Sequence, residues 1–182
     1  ADRDLSELMY SGRDRRFYTA IVYDKCSWIG ETVELNLGGN LSAGVRDKED
    51  GGWYNTTTGY YWRKGNIENP TPRAYHNCQV ALHFNIVRLG EAYMNLAEAY
   101  LLKHDVPNAV KALNMTRTIH GGLSESTAAT EEEAWTDYIR ERNCELTNEG
   151  GDIYYSYLRW GKYGGYANHG RDAGDIIYDL DR

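Results

Sequence analysis

The chain has 182 residues, 27 acidic against 20 basic side chains and a formal charge of -7, with a mean hydropathy of -0.69. That balance lacks the clustered basic face that nucleic acid requires, and no run of about 18 apolar residues is present to form a membrane helix. The length suits one domain, and the aromatic stock is mostly tyrosine, 16 against two phenylalanines, rings whose polar tips suit half-exposed surfaces.

Residues 1–79 show no sustained helical period, and glycine pairs recur at Gly38-Gly39 and Gly51-Gly52. The segment reads as long loops with a few short strands: Phe17, Ile21 and Tyr23, then Val33, Leu35 and Leu37, alternate as half-buried strands do. From about Val80 the period changes to 3.6, with Ile86, Leu89, Tyr93, Leu96, Ala97 and Tyr100 forming one stripe of a helix. A second helix begins near Pro107 behind Asp105 as cap and ends at Gly121-Gly122. Its three- or four-residue connection makes the two helices antiparallel neighbours. Thr130 and Glu133 have capping-box spacing, so a third helix starts there, with Glu131 to Glu133 suiting its dipole. It is expected to run to a double-glycine stop at Gly150-Gly151, after which the aromatic-rich segment returns to loop.

Tyr93, Leu96, Ala97, Tyr100, Ala109, Leu113 and Thr116 sit at the offsets of a tetratricopeptide repeat, although the proline expected at its end would fall at Gly121. The predicted fold class is therefore mainly α, with tetratricopeptide-like helix pairs of an alpha-alpha superhelix, long irregular loops and a few short strands. Residues 1–79 form the loop-rich part and 80–182 the helical scaffold.

Glu141, Glu145 and Glu149 recur every four residues on one helix face, roughly 6 Å apart between Cβ atoms. With Arg140 and Arg142 in the same turns, they read as a partly buried ion-pair network in preference to a metal site or an acid/base pair. The histidines show no i, i+4 pair, and Cys26, Cys78 and Cys144 are too scattered for a zinc ribbon or a disulfide framework. No cofactor, metal or catalytic residue is predicted. What remains is aromatic clustering in polar, glycine-bearing loops. Aromatic faces flanked by bidentate polar groups are what a sugar ring requires, because its C–H faces stack while its hydroxyls demand paired hydrogen bonds. Anchoring of the loops to the core is the competing explanation for each ring.

RLGEAYMNLAEAY (Arg88 to Tyr100), AVKALNMTRT (Ala109 to Thr118), IRERNCELTNEG (Ile139 to Gly150) and LRWGK (Leu158 to Lys162) resemble, in order, the signatures of the SusD/RagB family. DRRF at Asp14 and TGYYWRK at Thr58 to Lys64 are also similar to that family's C-terminal half. The resemblance implies an outer-membrane, cell-surface lipoprotein without enzymatic activity that binds oligosaccharide and sits on a TonB-dependent, SusC-like transporter. It further implies that Arg88, Glu91, Glu98, Asn114, Arg117, Glu141, Arg142, Glu145, Glu149 and Arg159 are architectural. Family members are roughly two to three times as long, so the chain resembles a C-terminal portion, with the lipidated cysteine and the first helix pairs in a missing N-terminal half; the remainder of the same protein, or another copy, is expected to cover the apolar stripes that one hairpin and a third helix leave uncovered. Asp152 departs from the family pattern, which has an arginine after the Glu-Gly.

The expected function is glycan or nutrient capture and delivery to the transporter. Trp28, Trp53, Tyr54, Tyr61, Trp62 and Arg63 are the ligand candidates, chosen from chemistry because they lie in loops outside the architectural motifs. The alternatives are a tetratricopeptide-type interaction scaffold and, behind it, a glycosidase using two carboxylates.

Overall fold

The computed structural model describes residues 5–35, 39, 58–66 and 85–160. They belong to two compact units, one from Ala1–Arg88 and Thr118–Ser124, the other from Leu89–Arg117 and Glu125–Arg182.

The first unit holds α1 (Leu5–Tyr10), α2 (Arg15–Ala20), β1 (Ile21–Val22), β2 (Ser27–Trp28), β3 (Glu31–Thr32) and β4 (Tyr61–Trp62). The strand expected through Phe17 is a helix. Asp14 caps it, accepting from the Arg16 backbone N–H at 2.8 Å and pairing with the Arg16 guanidinium at 2.6 Å; such a cap offsets orphan donors that an extended segment would not have. Only Ile21–Val22 extends, antiparallel to β4 with Ile21 opposite Trp62 and Val22 opposite Tyr61. β2 and β3 form a hairpin whose turn residues Ile29 and Gly30 both have positive φ, 49° and 79°, as the natural strand twist favours. Val22, Cys26 and Val33 are buried beneath Tyr23, Trp28, Leu35 and Tyr61; burial pushes the Cys26 thiol up, keeping it neutral. Val33 fills the core as expected but lies just beyond β3, and Leu37 lies outside the described residues.

The Arg15 N–H donates to the Gly121 carbonyl at 3.0 Å, and its guanidinium donates to the carbonyls of Thr118 at 3.3 Å and Ile119 at 3.4 Å while crossing Gly122. Gly122 has φ +66°, and a Cβ there would meet Arg15 Cζ at 2.8 Å. Gly122→Ala is therefore expected to destabilise by about 1–2 kcal/mol from backbone strain alone. Urea unfolding reads this directly, and an unchanged midpoint would mean that the turn relaxes freely.

The second unit contains α3 (Leu89–Leu102), most of α4 (Val106–Ile119), α5 (Glu131–Glu145) and α6 (Asp152–Arg159). The connection between α3 and α4 is three residues long; His104 takes φ 58°, and Asp105 accepts from the Asn108 N–H at 3.3 Å as the expected cap. Thr130 and Glu133 form the capping box of α5, and the N–H groups of Ala129 and Thr130 hold the Glu133 carboxyl below its usual range. Met94, Ala97, Leu101, Ala109, Ala112, Leu113, Ala134, Trp135, Tyr138 and Trp160 make one core, and the alanines let helix axes approach closely.

Three expectations are corrected here. The buried face of α3 is Gly90, Met94, Ala97, Glu98 and Leu101; Leu89 and Leu96 are exposed and Ile86 precedes the helix, while Glu98 faces inward as the acceptor of a polar network. The third helix ends at Glu145 with Leu146 as its cap, ahead of Gly150 and Gly151, whose positive φ values (53° and 76°) make a turn instead. Residues 152–159 are a helix, not loop: Ile153, Tyr157 and Trp160 have helical spacing, and Tyr157 and Trp160 pack on the core.

Candidate functional site

Two places in the described residues carry concentrated chemistry, one polar and buried, the other aromatic and open. The polar one lies in the second unit and centres on Glu98. Its carboxylate accepts from Tyr138 Oη at 2.6 Å, Trp160 Nε1 at 2.8 Å, and Arg159 Nε and Nη2 at 3.1 and 2.7 Å. Burial alone would raise the Glu98 pKa, but the Arg159, Tyr138 and Trp160 hydrogen bonds outweigh it, and the pKa falls below the ordinary 4.5. Arg142 joins the same network through Tyr138 Oη, Asn95, Ser156 and both oxygens of Asp152. Thr116 Oγ1 donates to Glu141 at 2.6 Å, and Glu141 and Glu145 are 1% and 2% exposed. Glu98, Arg142, Arg159 and Asp152 are each matched by charged or hydrogen-bonding partners, which offsets the cost of burying charge. Glu141 and Glu145 are buried as expected, but Arg142 forms its ion pairs with Asp152, the departure from the family pattern, and with Glu98 on α3.

The aromatic place lies in the first unit. Rings of Tyr10, Phe17, Tyr18 and Tyr23 pack at centroid distances from 4.7 to 6.0 Å, and Tyr60 meets Tyr10 edge-on at 6.3 Å. Burial first, then the Tyr60 hydrogen bond, push the Tyr10 phenol up to about 12, so it remains a neutral donor. Beside this cluster a cavity of about 400 Å³ is lined, among the described residues, by Phe17, Ile21, Thr58, Tyr60, Tyr61 and Trp62. Trp62 is 48% exposed, yet its backbone is fixed: Ile21 pairs with it across the sheet, and Asn66 Nδ2 donates to its carbonyl at 2.7 Å.

Tyr61 and Trp62 come together at that cavity. Trp28 and Arg63 meet beside each other, the Arg63 guanidinium 5.6 Å from the Trp28 ring centroid, with Trp28 half-buried on the Val22 core. Trp53 and Tyr54 lie outside the described residues, as does Cys78. Sequence reasoning did not select Phe17, Ile21, Thr58 or Tyr60. Phe17 and Ile21 stand four apart, and once Asp14 is recognised as a cap that spacing puts them on one side of the helix end; Gly59, with φ 75°, marks the bend that brings Thr58 and Tyr60 to them. Among the described residues no group of three or more His, Cys, Asp or Glu side chains could hold a metal ion, and no helix is long and apolar enough to cross a membrane.

A comparison with curated proteins gives no match. Among solved structures the chain is similar to a SusD-like protein from Bacteroides fragilis, with a TM-score of 0.70 and 30% identity, over 85% of this chain and 30% of that one. The chain thus spans under a third of that relative's length. The SusD family model matches residues 2–180, so nearly the whole sequence carries the family pattern and the chain belongs to the SusD family.

Proposed function

We propose that the chain is a C-terminal portion of a cell-surface protein that captures oligosaccharide without covalent chemistry and passes it to a SusC-like, TonB-dependent outer-membrane transporter. On this reading a lipid anchor outside residues 1–182 holds it at the outer membrane. The observation that carries the reading is Trp62: a half-exposed indole on a strand-paired backbone that lines an aromatic cavity, in a chain of this family. An indole face offers a sugar ring a large apolar platform at little entropic cost. The carboxylates a glycosidase would draw on, Glu141 and Glu145, are instead buried, with Glu141 engaged by Thr116.

The test is a glycan-array screen of the protein at the full length its gene encodes, followed by calorimetry on each hit. Binding without release of reducing sugar, weakened roughly tenfold by Trp62→Ala, is expected. Hydrolysis that disappears in Glu141→Gln or Glu145→Gln would overturn the capture reading in favour of a glycosidase.

A further inference from the structure

We propose that the cavity of the first unit is a subsite for an uncharged sugar unit and discriminates against uronic-acid and sulfated glycans. This rests on the capture reading and adds to it the chemical class of the ligand. Four of the six described lining residues are aromatic, a fifth is Ile21, and Thr58 contributes a hydroxyl. Such walls favour the C–H faces and small apolar substituents of a neutral pyranose, whose few hydroxyls inside can be met by Thr58 and the tyrosine phenols. A carboxylate or sulfate entering the same space would give up its hydration; none of the six described lining residues is a cation, and the Arg13 guanidinium, 5.9 Å from the Phe17 ring centroid, donates to the Met9 carbonyl at 2.9 Å.

Arg63 follows Trp62 directly, and its geometry commits it elsewhere. Its Nη1 donates to the Tyr18 carbonyl at 3.2 Å, its Cζ lies 5.6 Å from the Trp28 ring centroid, and its own N–H donates to the Ala20 carbonyl at 2.8 Å. The guanidinium thus ties α2 to the hairpin. Pulling it towards an anionic sugar would sacrifice the Tyr18 bond and the contact with Trp28.

The experiment is calorimetry of the full-length protein against matched pairs of oligosaccharides that differ only in a neutral versus an oxidised or sulfated unit, each at low and high salt. The expected result is binding of the neutral member, insensitive to salt, weakened roughly tenfold by Trp62→Ala and measurably by Thr58→Ala, with the charged member bound at least roughly tenfold more weakly. Both variants alter exposed side chains, and unchanged thermal melts would confirm that they fold. Charged members binding as well as neutral ones, with the same dependence on Trp62, would overturn this inference and leave capture standing. Neutral binding untouched by both variants would also overturn it, by moving the subsite elsewhere. No binding to any glycan would sink the capture reading itself.

Discussion

Glu98→Ala is expected to lower the unfolding free energy by about 3–5 kcal/mol, the cost of breaking a buried charge network from one side. The substitution removes the common acceptor of Tyr138, Arg159 and Trp160, leaving the buried Tyr138 hydroxyl proton and the Trp160 N–H without the acceptor they share. Glu98→Gln keeps the shape but turns an NH2 group towards donors, so it is expected to fall between the wild type and the alanine variant. The two variants separate charge from packing. Because the folded carboxyl has its pKa below the ordinary 4.5, its contribution is fully present above that value and is lost as pH falls through the folded pKa. The gap between wild type and Glu98→Gln in denaturant unfolding should therefore narrow on going from neutral pH to well below 4.5. A gap that stays constant, or an alanine variant within about 1 kcal/mol of the wild type, would show that the network is not held by this charge.

How much of this was legible in the sequence depends on the range of the forces involved. The α5 start was readable because a capping box is a contact over three residues, and the α3–α4 connection because Asp105 and Pro107 act locally. The inward-facing position of Glu98 on α3 was not, since it depends on Tyr138 and Trp160, 40 and 62 residues away. An acidic residue in a helix normally marks the solvent face, and only its distant partners reverse that assignment. The α6 helix was missed for a different reason: Gly150-Gly151 satisfied the rule for a helix stop, and the tyrosines that follow obscured an apolar spacing already present at Ile153, Tyr157 and Trp160. At the candidate site, the run from Tyr60 to Arg63 announced its aromatic character. Its cavity did not, because Phe17 and Ile21 reach it from more than 35 residues upstream through a helix that reads equally well as a strand.

Arg142 gives the second large effect and tests whether α6 is held by charge or by its apolar contacts. Its side chain is 3% exposed, and burial works against its charge, but the hydrogen bonds and charge of Asp152 outweigh that and keep the guanidinium protonated. Nε donates to Asp152 and Ser156 at 2.9 and 3.1 Å, and Nη1 to Asn95 and Tyr138 at 2.9 and 3.0 Å. A lysine has three donors at one point and cannot span Asp152 and Asn95 together, so Arg142→Lys should lose roughly half of the effect of Arg142→Met, itself expected at about 3–5 kcal/mol. The decisive measurement is a double-mutant cycle with Asp152→Asn. If the bidentate pair docks the first turn of α6 onto α5, the two substitutions should couple by roughly 0.5–3 kcal/mol, and amide exchange over 152–159 should quicken in either single variant before it does in α5. Additivity within about 0.5 kcal/mol would instead assign the docking of α6 to Tyr157 and Trp160, and would make Asp152 a substitution that the fold tolerates without using.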